Sequence, residues 1–231
     1  MSRYEEFFRS IPLVAVFGLV FLAACGTSSP TQLPARPTSV NVPVSSGDGS
    51  ALSFSLKNHG GAMEGHTPRG FKGMGTGLFA GDNLNRNFPD GDGVQLFLTF
   101  DLGGIPSGTV ASAVLSSEHA TVIGTPFGDL GPLRAEEFRY ENFSSDLWDE
   151  APLVGGAVCV LAESSNGPFE CGVAGAVQRS LDDSYQYVQF RVRLDQAGDR
   201  DGEQDLVSFF QSNSNTNEPG LFLLDVSVIP N

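Results

Sequence analysis

The strictest constraint in this chain is the polarity alternation from Gln186 to Leu194. Val188, Phe190, Val192 and Leu194 fall on one side, and Tyr187, Gln189, Arg191 and Arg193 on the other. Side chains of a strand point to opposite faces in turn, so this stretch predicts a strand with one apolar face. The pattern recurs. Leu52, Phe54 and Leu56 alternate with Ser53 and Ser55. Val94, Leu96, Leu98 and Phe100 oppose Gln95, Phe97, Thr99 and Asp101. Phe222, Leu224, Val226 and Val228 share a face within Leu221 to Ile229. Thr109 to Ser117, Leu133 to Tyr140, Ala157 to Leu161, Phe169 to Val177 and Asp205 to Gln211 add further β-type runs.

Other stretches read less sharply. Gly60 to Gly81 is glycine-rich and predicts one or two broken strands. Thr121-Val122-Ile123 either extends the strand before it or starts another. Ser144 or Ser145 caps a short helical turn carrying Leu147 and Trp148. Otherwise helix is almost absent. About nine or ten strands with one wet face predict an all-β fold, an antiparallel two-sheet β-sandwich of jelly-roll type. Pairing its first and last strands side by side would blunt an edge, but the sequence does not show that pairing.

Three segments precede or make up this domain. Residues 1–24 form a signal peptide, 25–49 a disordered tether, and 50–231 the sandwich. Arg3, Glu5, Glu6 and Arg9 open the chain, and an apolar core runs from Ile11 to Phe21. At about 14 residues even when Leu22 to Ala24 are added, the apolar run falls short of the roughly 20 that span a bilayer, so a secretory signal is the better reading. The core ends in Leu22-Ala23-Ala24-Cys25, which resembles the lipobox of bacterial lipoproteins. That resemblance implies cleavage before Cys25, a diacylglyceryl group on its sulfur and acylation of the new amine. Two or more acyl chains anchor a protein stably where one does not. Gly26 stands where Asp would favour inner-membrane retention. The expected location is therefore the cell envelope, at the outer membrane in a Gram-negative cell. The tether is rich in Ser, Thr, Pro and Gly and carries no apolar period.

Charge narrows the partners. The chain has 13 Lys and Arg against 27 Asp and Glu, a net charge of −14. Nucleic acid needs clustered cations on one face and is excluded as an expected partner. The expected partners are the membrane, through the anchor, and a polysaccharide or envelope protein. Besides Cys25 the chain has Cys159 and Cys171, an even pair in an exported domain. A disulfide is expected, with the turn-like Ser164 to Pro168 making a hairpin that brings the sulfurs together; two free buried thiols are the alternative.

A longer string carries a family resemblance. Gly81-Asp82-Asn83 is followed by Leu96-Phe97-Leu98-Thr99-Phe100-Asp101-Leu102, then by Ile105-Pro106-Ser107-Gly108 and Ser112-Ala113-Val114-Leu115. It resembles the opening of DNRLRE-type domains, which belong with carbohydrate-binding-module-like jelly rolls in exported bacterial and archaeal proteins. The likeness covers roughly Gly81 to Tyr140. It implies a jelly roll and a binding or spacer role, some relatives binding polysaccharide; fold alone carries no such activity.

Candidate sites are few. Asp199, Asp201, Glu203 and Asp205 lie in one loop, with Asp at its first, third and seventh places and Gly202 at the fourth. Such oxygen-rich turns suit a structural calcium ion, and a solvated loop is the bland alternative. Asp90 and Asp92 with Asp82 or Asn83 form a second acidic set. Trp148, Tyr140, Tyr185 and Tyr187 could stack on sugar. Tyr187 is the best placed, on the polar face of its strand, and Trp148 alternatively plugs the end of the sandwich. His59, His66 and His119 are scattered, and no G-x-S-x-G elbow, H-E-x-x-H or phosphate-binding glycine loop occurs. The expectation is a non-catalytic surface lipoprotein binding glycan or envelope polymer. The alternative is an assembly protein that docks another envelope protein.

Overall fold

The computed structural model describes residues 51–66, 70–75, 79–85, 88–117, 120–209 and 222–231. The expected signal segment, tether and Cys25 lie outside the described residues, as does His119. Thirteen strands are described: β1 Leu52–Lys57, β2 His59–His66, β3 Gly70–Gly75, β4 Phe79–Asn85, β5 Phe88–Asp101, β6 Gly108–Ser117, β7 Thr121–Ile123, β8 Leu133–Phe138, β9 Cys159–Ala162, β10 Phe169–Gly172, β11 Tyr187–Leu194, β12 Asp205–Ser208 and β13 Phe222–Pro230. Two helices join them, α1 Pro126–Asp129 and α2 Ala174–Asp182, with a 3-10 turn at Ser145–Trp148.

The strands form two antiparallel sheets. One has four strands in the order β1-β13-β6-β10, and the other has nine, with β4, β5 and β11 at its centre. The predicted sandwich is thus the observed one. The terminal strands do pair: Leu52 to Lys57 of β1 register with Val228 to Leu223 of β13. The apolar faces predicted by period two meet between the sheets. Leu96, Leu98, Phe100, Phe190, Val192, Leu115, Phe222 and Leu224 are all fully buried there. Gly81 adopts a φ of 124°, and a Cβ on it would strike the backbone of Asp205 and Leu206. Only glycine lets β4 lie this close to β12.

Four expectations need correction. Gly60 to Gly81 holds β2, β3 and the start of β4 rather than one or two strands. Phe169 to Val177 is not one strand, because β10 stops at Gly172 and α2 begins at Ala174. Val173, Ala176, Val177 and Ser180 are buried, a three-and-four spacing that fits a helix packed on one face. The cysteines do not lie on a hairpin either. β9 pairs with β8 in the larger sheet, and β10 pairs with β6 in the smaller. The Cys159–Cys171 disulfide forms, with Cα atoms 5.9 Å apart, but it ties the edge of one sheet to the edge of the other.

The fourth correction concerns the outer face of the larger sheet, which the alternation marked as wet. Gln95, Thr99, Gln189, Arg191 and Glu136 are buried on it, and Phe97 is fully buried. The segment after β8 folds back over them. Phe97, Phe138, Tyr140, Leu147 and Trp148 form a second apolar cluster, joined by Phe143 and Ala197. Phe97 meets Phe138, Tyr140 and Phe143 edge-on at 5.8, 6.0 and 5.5 Å. Such tilted ring pairs contribute about 0.5–1.5 kcal/mol each beyond their buried area.

Candidate functional site

The polar groups under this cover partner one another. Arg191 Nε donates to Glu136 Oε2 at 2.6 Å, and its Nη1 reaches the carbonyls of Trp148 and Glu150 at 3.2 and 3.0 Å. The guanidinium also lies 4.5 Å over the Phe138 ring. Arg193 Nη2 reaches the same carboxylate at 2.9 Å. Burial pushes the Glu136 carboxyl up, but Arg193 and Arg191 outweigh it and hold it below the usual carboxylate range. A second knot joins Thr99, Gln189 and Tyr140. Gln189 Oε1 accepts from the Tyr140 amide at 2.9 Å, its Nε2 donates to the Tyr140 carbonyl at 3.0 Å, and the Thr99 and Tyr140 hydroxyls lie 2.8 Å apart. Burial pushes the Tyr140 phenol up to about 12. These networks fix the covering segment over this face; Gln95 Oε1, buried on the same face, has no partner among the described residues.

The knot also holds the aromatic wall of an open cleft. Tyr185 Oη donates to Gln189 Oε1 at 3.2 Å. The Arg139 guanidinium covers the Tyr185 ring at 4.4 Å, and Tyr187 meets the ring edge-on at 6.0 Å. Arg139 in turn pairs with Asp183 at 2.8 Å. The ring is therefore positioned before any ligand arrives. Burial pushes its hydroxyl up, with Arg139 acting in the opposite sense.

The cleft is about 490 Å³, at the end of the sandwich between the β5–β6 loop and the end of α2. That size falls within the roughly 300–1,000 Å³ of small-ligand sites. Leu102, Ile105 and Leu181 give it apolar surface, and Ser107, Ser184 and Gln186 give it polar side chains. Two hydrogen bonds shape its rim: Leu102 N donates to the Gln186 carbonyl and Gly103 N to Asp101 Oδ1, both at 2.8 Å. Ser184 has a φ of 54°, a left-handed residue that ends α2 and turns the chain back into β11. Non-glycine residues held in this region cost of order 1 kcal/mol and cluster at binding sites.

A smaller groove of about 330 Å³ lies on the outer face of the smaller sheet. Cross-strand register lines up Ser53, Ser227 and Ser112 there, and next to them Ser55, Asp225 and Val114. Small side chains leave this face low and uncovered.

The candidates picked from sequence are distributed as follows. Tyr187 is half-buried beside Tyr185. Trp148 is only 8% exposed, inside the outer cluster, so it covers the face of a sheet rather than the end of the sandwich. The amide of Asp201 donates to Asp199 Oδ1 at 3.2 Å, and that of Glu203 to Asp201 Oδ1 at 2.7 Å. Asp205 is buried and accepts from the Thr125 amide. No group of three or more His, Cys, Asp or Glu is disposed to hold a metal ion among the described residues. The acid that the loop covers is Asp82, paired in register with Asp205 across β4 and β12. It is fully buried, and its Oδ1 has no partner among the described residues. Burial pushes its carboxyl up to about 6, aided by Asp199 and Asp201 and opposed by the amides of Arg200 and Asp199. A Cβ at Gly198 would come within 2.6 Å of its Oδ2, so the loop passes directly over it.

Sequence reasoning ranked Tyr187 above Tyr185. The structure places Tyr185 in the cleft wall, two residues before β11 begins at Tyr187. Gln186 and Ser184 gave no signal in sequence, because their role depends on the loop packed opposite them.

The fold and site together define a two-sheet β-sandwich with an open terminal cleft. No family model matches the chain, and no curated protein matches it.

Proposed function

We propose that this chain is a non-catalytic, lipid-anchored envelope protein, attached through Cys25, whose sandwich binds glycan at the terminal cleft. The observation that carries this is the fixed Tyr185 ring beside apolar surface and the side chains of Ser107, Ser184 and Gln186. A pyranose has an apolar C–H face and a ring of hydroxyls. Aromatic and aliphatic surface suits the first, and amides and hydroxyls suit the second. Prior fixation of the ring lowers the entropy cost of binding.

A glycan screen on the full-length chain in detergent, with calcium and with chelator, tests the reading. Binding is expected to fall at least about 10-fold in Tyr185→Ala, the loss of one stacked ring and its contacts. A chelator-sensitive result would show that calcium takes part in binding. No binding in either condition would discard the glycan reading. The second reading, docking of an envelope protein, draws on the uncovered groove around Ser55 and Asp225. Cross-linking from Ser55→Cys in intact cells tests it.

A further inference from the structure

Two consecutive residues of α2 reach opposite sheets, and one of them joins the two walls of the cleft. We infer that Gln178 is the positioning residue of the site: it holds the β5–β6 wall at a fixed distance from the end of α2 and so sets the width that a sugar ring meets. The inference rests on the glycan reading above, because that reading makes the cleft the binding site.

β10 runs beside β6 as far as Gly172, opposite Val114. One further bond follows, from the Val173 amide to the Ala113 carbonyl at 2.8 Å. Beyond it no described strand flanks this side of β6, and α2 meets the edge instead. Gln178 Oε1 accepts from the Val110 amide at 2.8 Å, and Nε2 donates to the Gly108 carbonyl at 3.2 Å. A residue of a parallel strand opposite Thr109 would bond the same two groups, so the side-chain amide continues the ladder where β10 stops. Nε2 also donates to Asp182 Oδ1 at 2.8 Å, which uses its remaining hydrogen and fixes the amide's orientation. Gly108 is held on its other side as well, since a Cβ on it would strike the Ile229 carbonyl. Ser107, the residue before it, lines the cleft, and Leu181, one turn of α2 after Gln178, lines it from across. The tie therefore runs from wall to wall.

Arg179 makes a different tie. Its Nε donates at 3.0 Å to Glu137 Oε2, and Glu137 is buried on β8. β8 belongs to neither wall, so this pair holds α2 to the larger sheet and leaves the cleft width to Gln178.

The test is calorimetric titration of the full-length chain in detergent with cellotriose, chitotriose and maltotriose, each alone. For the probe that the parent binds most tightly, Gln178→Ala is expected to weaken binding about 5- to 10-fold. Arg179→Met strands the Glu137 carboxylate and is expected to lower the unfolding midpoint further than Gln178→Ala does. At a temperature where both variants are folded, its affinity is expected to stay within about twofold of the parent. Gln178→Glu keeps the acceptor for Val110 and loses the donor to Gly108, with Asp182 facing it. Two close carboxyls cannot both ionise freely, so a proton returns to the pair as pH falls. The affinity of this variant relative to the parent is expected to recover from about pH 8 to about pH 5, while that of Gln178→Ala stays low. Gln178→Ala binding as the parent does overturns the inference and leaves the glycan reading standing. An equal loss in Arg179→Met also overturns it, since any loosening of α2 would then suffice. If Gln178→Ala does not fold, Gln178→Glu decides by its pH profile, and a flat profile overturns the inference. A parent that binds none of the three probes removes both.

Discussion

The two sheets each have an outer face, and the faces have opposite fates. On the larger sheet the outward residues are long: Gln95, Phe97, Thr99, Gln189 and Arg191. The chain after β8 buries them under Leu147 and Trp148. On the smaller sheet many of them are short, Ser53, Ser55, Ser112 and Ser227, and that face carries a groove of about 330 Å³. Both sets show the same period-two alternation. Alternation therefore reports that a second face exists, not that water wets it. What separates the faces is whether the outward side chains can bond to one another. Arg191 with Glu136, and Gln189 with Thr99 and Tyr140, give a covering segment something to close on. A row of serines offers no such anchor.

Arg191→Ala is the largest way to break the comparison. It leaves Glu136 buried with Arg193 as its remaining cation and strips the carbonyls of Trp148 and Glu150 of a donor. A loss of about 3–5 kcal/mol in urea unfolding is expected. A loss below about 1 kcal/mol would mean that the cover is held by its apolar residues alone. The network also sets an acid limit. The folded-state value of Glu136 is depressed, so its stabilisation is present above the unfolded carboxylate value and is lost as pH falls through the folded one.

Next comes the join between the sheets. Cys159→Ser/Cys171→Ser frees β9 from β10, and about 2–4 kcal/mol is expected to go. The edge amides of both strands should exchange faster with solvent hydrogen while those of β5 keep their protection, which hydrogen-exchange mass spectrometry reads directly.

A buried polar group without a full set of partners should behave in the opposite way to Glu136. The Asp82 carboxyl is raised to about 6, so the folded chain holds its proton where the unfolded chain has lost it. Its contribution is present below the unfolded value near 4 and is lost as pH rises through about 6. Asp82→Asn is expected to flatten that slope and to stabilise the protein at neutral pH by about 1–2 kcal/mol in thermal unfolding. A variant less stable than the parent at neutral pH would show that the ionised carboxylate has a partner there.

The smallest effect belongs to the open face. Ser55→Ala and Ser227→Ala are expected to stay within about 0.5 kcal/mol of the parent in the same unfolding assay. A larger change would show that this face is covered in solution, which is the outcome the docking reading needs.

The strands were legible where one face is apolar and the run is long. Leu52 to Leu56, Val94 to Phe100 and Phe222 to Val228 fall within observed strands, and Gln186 to Leu194 does so from Tyr187 on. That β1 and β13 lie side by side was not legible in the alternation, because period two fixes faces and not neighbours. The glycine-rich stretch was harder, because glycine has no side chain to show a period. α2 was hidden because Gly175, Gln178 and Arg179 break the apolar run between Val173 and Ser180 into a pattern that a short strand also permits. In the site, Tyr185 was legible only as one aromatic among four.

Local chemistry alone determined the β class, the inner faces and the presence of two cysteines able to bridge, because each depends on residue type and period. Tertiary structure decided which sheet each strand joins, and so made the disulfide a tie between sheets instead of across a hairpin. It also decided which outer face is buried, and which tyrosine stands beside Leu102, Ser107 and Gln186. Those outcomes depend mostly on contacts between residues far apart in the chain, such as Phe54 with Val226 and Gln189 with Thr99, and no local period encodes them.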